Sequence, residues 1–275
     1  MVMSPETTTL PSFFRWNLDE LISMLLLLPL TNWLLPPKKK RSLKILTFEP
    51  LKNTLSDFNT NDLVDYLVRS IEVNDDQLNK IFCTLQIHVK NDCELPIGLH
   101  PMLRIPKNMS KIKIKPGNFK FGLNYPGLVL KDKTLGAIGK EFSTLESVEG
   151  YNGNILDLSQ PPFDGNFEDL FQLCGIDGNM SLENFEENYK FNFTWNPHHF
   201  SSVLMWVSNK GRVEYPWNSN HVTIGFEPIS SAFGLSTHVS LNKENPISKR
   251  NVATSVKLYK DDPLVTDYSF SINAL

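Results

Sequence analysis

From Leu78 onward the residues alternate with a period of two, and no other feature constrains the fold as strongly. Ile81, Cys83, Leu85, Ile87 and Val89 alternate with Phe82, Thr84, Gln86, His88 and Lys90. Tyr189, Phe191, Phe193 and Trp195 alternate with Lys190, Asn192 and Thr194. Successive side chains of a strand point to opposite faces, so this pattern makes a half-buried strand rather than a helix. Lys111-Ile112-Lys113-Ile114-Lys115 alternates throughout, with lysines on the face expected of an edge strand or a solvated surface. Residues 203–208, 221–227, 252–259 and 268–272 behave similarly, and Pro/Gly/Asn clusters such as Lys115-Pro116-Gly117-Asn118 and Asn124-Tyr125-Pro126-Gly127 separate the runs. Many short strands with such turns predict an all-β fold, a large antiparallel β-sandwich with few short helices. No repeat of fixed period is visible, which counts against a propeller or solenoid.

The first part of the chain differs. Residues 1–50 are Leu/Pro-rich without a clean period, and residues 51–275 are expected to form the sandwich domain. Residues 59–73 are expected to form a short amphipathic helix, with Asn59 or Thr60 as cap and Leu63, Val64, Leu67 and Ile71 on one face. The apolar run 21–37 is broken by Pro29 and Asn32 and preceded by Asp19 and Glu20. It is too interrupted for a spanning helix and lacks the basic start of a signal peptide, so no membrane partner is expected. Such a run must be covered by something, either a homodimer contact through the N-terminal segment or, as the less expected alternative, a membrane surface.

Composition excludes some functions. At 41% hydrophobic and 21% charged residues the chain is too apolar for disorder, and its net charge of −3 gives no general attraction for phosphate backbones, so no nucleic acid is expected. Cys83, Cys93 and Cys174 form no CxxC pair and are odd in number, which reads as reduced thiols in a cytoplasmic protein. His198 and His199 are adjacent, and neighbouring strand residues face opposite ways, so they do not converge on one ion and no metal is expected. No P-loop, GxGxxG, GxSxG or HExxH occurs, and no cofactor is expected.

The chemistry points to the strand His221-Val222-Thr223-Ile224-Gly225-Phe226-Glu227-Pro228. Val222, Ile224 and Phe226 are expected in the core, and Thr223, Gly225 and Glu227 on the other face. Gly225 leaves room beside the Glu227 carboxylate, a candidate general base. Trp195, Phe200, Trp206, Tyr215 and Trp217 lie nearby in sequence, interleaved with Asn196, Asn209, Asn218 and Arg212. Aromatic faces beside such donors suit a small-molecule sugar, whose C–H faces stack while its hydroxyls take hydrogen bonds.

Three segments carry a family resemblance. Pro96-Ile97-Gly98-Leu99-His100-Pro101-Met102-Leu103-Arg104-Ile105 resembles the segment bearing the general-acid histidine of the aldose 1-epimerase (galactose mutarotase-like) family. Gly175-Ile176-Asp177-Gly178-Asn179-Met180 is similar to the family's Gly-Tyr-Asp-His-Asn-Phe-like motif, whose aspartate binds sugar hydroxyls. Ile224-Gly225-Phe226-Glu227-Pro228 is similar to the late strand bearing the catalytic glutamate. The resemblance implies the family's β-supersandwich and interconversion of aldose anomers, with Glu227 as base, His100 as acid and Asp177 on the ring hydroxyls. Arg104, Trp206, Trp217 and Asn218 are the further candidate substrate contacts. Departures are present: Met102-Leu103-Arg104 replaces Tyr-Phe-Asn, Ile176 and Gly178 replace Tyr and His, and no histidine precedes His88. A non-catalytic carbohydrate-binding protein of the same fold is the alternative. A glycoside hydrolase or lyase pairing Glu227 with Asp164 or Asp177 ranks last.

Overall fold

The computed structural model describes residues 63–73, 77–105, 111–160 and 165–275, with Arg104 described by its backbone alone. The N-terminal run and its expected dimer contact lie outside the described residues. The strands in chain order begin β1 (Val64–Glu72), β2 (Lys80–Val89), β3 (Cys93–Leu95), β4 (Ile97–Gly98), β5 (Met102–Arg104) and β6 (Ile112–Pro116). They continue with β7 (Phe121–Asn124), β8 (Glu141–Phe142), β9 (Val148–Glu149), β10 (Ile155–Leu156), β11 (Phe167–Cys174) and β12 (Asn179–Asn184). The last five are β13 (Tyr189–Trp195), β14 (Ser202–Asn209), β15 (Val222–Ser230), β16 (Val256–Leu258) and β17 (Leu264–Ala274). A short helix α1 (Thr237–Leu241) follows β15, capped by the Ser236 side chain, which accepts from the Val239 amide.

A six-stranded sheet, β1-β2-β17-β13-β12-β6, faces a seven-stranded sheet, β4-β15-β14-β11-β7-β8, in which β5 also pairs with β15. Leu85 and Ile87 of β2, Leu182 of β12 and Phe193 of β13 meet Phe171 of β11, Met205 of β14 and Phe226 of β15 in one buried cluster. This is the expected all-β sandwich. The lysine-rich run becomes β6, which among the described strands pairs with β12 alone; Ile112 and Ile114 enter the core while Lys115 reaches across to Glu183 at 2.7 Å. Among the described residues no helix is long and apolar enough to cross a membrane.

Two local expectations are corrected. Residues 64–72 are not helical; they form β1, which pairs antiparallel with β2 from Val64↔Val89 to Glu72↔Phe82, with an irregularity between Val64 and Tyr66. The open edge of β2 offers this segment backbone partners, and tertiary pairing of that kind overrides a short helical pattern. Leu67 stays 41% exposed because it sits on the sheet's outermost strand. Of residues 252–259 only Val256–Leu258 is a strand. Thr254 instead donates to the Ser240 carbonyl, tying the preceding loop to α1.

Candidate functional site

The outer face of the seven-stranded sheet carries the polar side chains. On β14 Val203, Met205 and Val207 belong to the central core, so Leu204, Trp206 and Ser208 take the opposite face. Register places Glu227 opposite Leu204, Gly225 opposite Trp206 and Thr223 opposite Ser208 on β15. On the other side of β14, Leu170 lies opposite Trp206 and Glu168 opposite Ser208. Here a cleft is lined by Gly98, Leu99, His100, Leu170, Leu204, Trp206, Glu227, Ile229, Phe233 and Gly234. It holds about 40 Å³, room for a water or so.

The cleft brings His100 to Glu227. β4 pairs with the end of β15 through Gly98↔Ile229, the Leu99 amide donates to the Pro228 carbonyl at 2.9 Å, and the Phe226 amide donates to the Pro101 carbonyl at 3.1 Å. A side chain at position 98 would put its Cβ 2.9 Å from Ile229 Cγ2, so glycine permits this approach. The result is His100 Nε2 at 3.6 Å from Glu227 Oε1, close enough for an ion pair and too long for a hydrogen bond. The Glu227 side chain is only 9% exposed, and its Oε1 has no hydrogen-bond partner among the described residues. Burial pushes its carboxyl up to about 7, and the His100 charge pulls in the opposite direction. Gly225 exists for this carboxylate: a Cβ there would lie 2.6 Å from Glu227 Oε1.

A second buried carboxylate on the same face is in the opposite condition. Glu168 Oε1 accepts from Trp206 Nε1 at 2.6 Å and Arg212 Nε at 2.9 Å, and Oε2 accepts from Ser208 Oγ at 2.7 Å. Burial raises its carboxyl while these three donors and the Arg212 charge lower it. The Arg212 guanidinium lies over the rings of both Trp206 and Trp217, at 5.5 and 5.0 Å from their centroids. Ser208 Oγ also lies 2.9 Å from His221 Nδ1, and the His221 and Trp206 rings are 5.2 Å apart. One carboxylate is thus saturated and holds the indole in place, while the other is bare beside an imidazole. Burial raises both carboxyls, Glu168 against three donors and the Arg212 charge, Glu227 against the His100 charge alone.

The other sequence candidates lie elsewhere. Asp177 sits in the turn between β11 and β12 and does not line the cleft. Its Oδ2 accepts from the Asn118 backbone amide and side chain at 2.9 and 3.1 Å, and its Oδ1 accepts from Asn179 at 2.6 Å. A Cβ at Gly117 would fall 1.8 Å from Asp177 Oδ1, so the turn is built around this aspartate. Trp206 lines the cleft; Trp217 is half-buried in the β14–β15 connection, against Arg212. Asn218 is exposed in the same connection, with φ 46° and its side chain on the Pro216 carbonyl. The Arg104 backbone pairs with Thr223. Asp164 lies outside the described residues. Sequence inspection overlooked Glu168, Ser208 and His221. The available signal was Glu168, Asp169 and Gln172 standing among Phe167, Leu170, Phe171, Leu173 and Cys174.

No family profile matches the sequence, and no curated protein does. Solved structures do match in shape. A candidate aldose 1-epimerase of Escherichia coli K12 superposes with a TM-score of 0.50 at 14% identity, over 76% of this chain and 60% of that one. A galactose mutarotase-like protein of Clostridium acetobutylicum gives 0.45 at 14% identity, over 76% and 63%. The Slr1438 protein of Synechocystis sp. PCC 6803 gives 0.45 at 14% identity, over 76% and 55%. The matched region is less than two thirds of each of these proteins' own length. The two-sheet arrangement is the fold that this chain shares with the Escherichia coli structure.

Proposed function

We propose that this protein interconverts the anomers of an aldose or related sugar by general acid–base catalysis at the cleft between His100 and Glu227. The observation that carries the reading is the buried Glu227 carboxylate, whose Oε1 has no hydrogen-bond partner among the described residues and lies 3.6 Å from His100 Nε2. Ionised Glu227 takes the proton from the anomeric hydroxyl while protonated His100 gives one to the ring oxygen. The C1–O5 bond breaks, the open-chain aldehyde rotates about C1–C2, and the two groups return the protons as the ring closes on the other face. Both reacting oxygens are bonded to the same carbon, so an acid and a base this close can serve both. Each positioned group is worth about 10²–10⁴ in rate. Trp206, almost wholly buried with Arg212 and His221 against its ring, supplies apolar lining at the cleft. A carboxyl near 7 suits a base that must be ionised at neutral pH yet remain basic.

The alternative, a carbohydrate-binding protein without turnover, is favoured by one observation. Asp177, the expected ligand of ring hydroxyls, is held by Asn118 and Asn179 in a turn outside the cleft. NMR saturation transfer across a panel of aldoses and aldose phosphates separates the two, because it reads binding and anomer exchange together. The proposed function predicts both for at least one sugar. Binding with exchange at the buffer rate supports the alternative, and neither effect with any sugar removes both.

A further inference from the structure

The chain leaves β15 and folds back onto the outer face of the seven-stranded sheet, and one buried amide fixes where it lands. Register puts Gln172 of β11, Leu204 of β14 and Glu227 of β15 in a single row on that face. Neighbouring strands lie about 5 Å apart, so Gln172 and Glu227 stand roughly 10 Å from each other across Leu204. Gln172 is wholly buried and uses both ends of its side chain on the turn 231–234. Its Nε2 donates to the Ser231 carbonyl at 2.9 Å, and its Oε1 accepts from the Phe233 amide at 2.6 Å. Ser231 Oγ donates to the Phe233 carbonyl at 2.6 Å, and Ser240 Oγ accepts from the Ala232 amide at 3.1 Å. Phe233 is held at φ 51°, a left-handed conformation that bulky side chains seldom adopt. Strain of this kind persists where surrounding bonds over-determine the backbone. The phenyl ring packs with Leu170, Leu204, Trp206 and Ile229 in one buried cluster, meets Tyr125 edge-on at 5.5 Å, and lines the same cleft as Glu227.

We propose that Gln172 is a positioning residue: by pinning the strained 231–234 turn to the sheet, it sets Phe233 as the wall that keeps water from Glu227. This rests on the His100–Glu227 cleft being the reactive site, and it can be read without any sugar. An apolar residue at 172 would leave a buried carbonyl and a buried amide of the turn without these partners, which is why a glutamine stands there. Burial pushes the Glu227 carboxyl up to about 7, so water admitted past Phe233 would bring it down. His100, whose charge also lowers it, is kept in every variant below.

The test is ¹³C NMR of the full chain with glutamate labelled at the side-chain carboxyl, titrated from about pH 4 to about pH 9. The Glu227 signal is assigned by its loss in Glu227→Gln, and in the unsubstituted protein it should titrate at about 7. Phe233→Ala, which removes the wall, should lower that midpoint by about one pH unit or more. Gln172→Met, close in volume but unable to make either bond to the turn, should lower it too, and Gln172→Asn serves where Gln172→Met does not fold. Leu182→Ala opens the core at the opposite sheet and should leave the midpoint in place. A midpoint unmoved by Phe233→Ala or by the Gln172 variant overturns the proposal. So does a midpoint near 4.5 in the unsubstituted protein, or an equal shift in Leu182→Ala. Failure of every sugar to bind removes the function proposed above and leaves these midpoints standing. Unmoved midpoints beside measurable anomer exchange remove the Gln172 assignment alone.

Discussion

Replacing Glu227 by glutamine should change the pH dependence of stability in a direction that few substitutions produce. The carboxyl of the unfolded chain titrates near 4.5, and in the folded protein burial moves it up to about 7. Below pH 4.5 both states hold the proton and the group costs nothing. Between those values the unfolded chain releases the proton and the folded protein keeps it, so stability falls by up to about 1.4 kcal/mol per pH unit. Above pH 7 both states are ionised and the loss is complete, at most about 3 kcal/mol. Glutamine has no proton to lose. Its buried amide adds an offset of about 1–3 kcal/mol, but that offset is the same at every pH. The stability of Glu227→Gln relative to the unsubstituted protein should therefore rise by about 2–3 kcal/mol between pH 4.5 and pH 8. The raised Asp169 carboxyl, held at about 6, and the lowered His221 titrate in both proteins and cancel in the difference. Urea unfolding followed by tryptophan fluorescence at half-unit pH steps measures this difference. Parallel curves for the two proteins would refute a buried, destabilised Glu227.

Other outcomes follow from the same geometry. Gly225→Ala places a Cβ 2.6 Å from Glu227 Oε1, so the carboxylate must move; anomer exchange should drop at least about tenfold while circular dichroism stays unchanged. Phe226→Ala removes a side chain with no exposed surface from the core between the sheets and should cost about 3–5 kcal/mol in urea unfolding. Asp177→Ala should leave sugar affinity unchanged, because that side chain holds the Asn118 turn rather than the cleft, and should cost about 1–3 kcal/mol of stability.

The strands were legible in the sequence where one face is apolar, because alternation is a local property: β2, β6, β13 and β17 lie where the period-two runs put them. β1 was misread because Leu63, Val64, Leu67 and Ile71 satisfy a helical period, and only the open edge of β2 decides between the two structures. Within the site, resemblance pointed to both His100 and Glu227, and the fold places them 3.6 Å apart although they are far apart in the chain. The burial of Glu227 was not legible, since it depends on β4 and His100 closing over β15. Asp177 carried a motif, but its environment is set by Asn118, 59 residues earlier. The Glu168 network escaped notice for the same reason: its partners Trp206, Ser208 and Arg212 lie 38 to 44 residues away, on β14 and in the connection after it.

The pairing of Glu227 with His100 as base and acid is tested most directly by the rate of anomer exchange at pH 8, measured for a bound aldose with the unsubstituted protein and with Glu227→Gln. At that pH most Glu227 is ionised, and the unsubstituted protein should exceed the buffer rate. The variant should bind the sugar within a few fold yet exchange it about 10² or more slowly, since the amide keeps the shape and cannot accept the proton. Equal exchange rates for the two proteins at matched occupancy would contradict a catalytic Glu227.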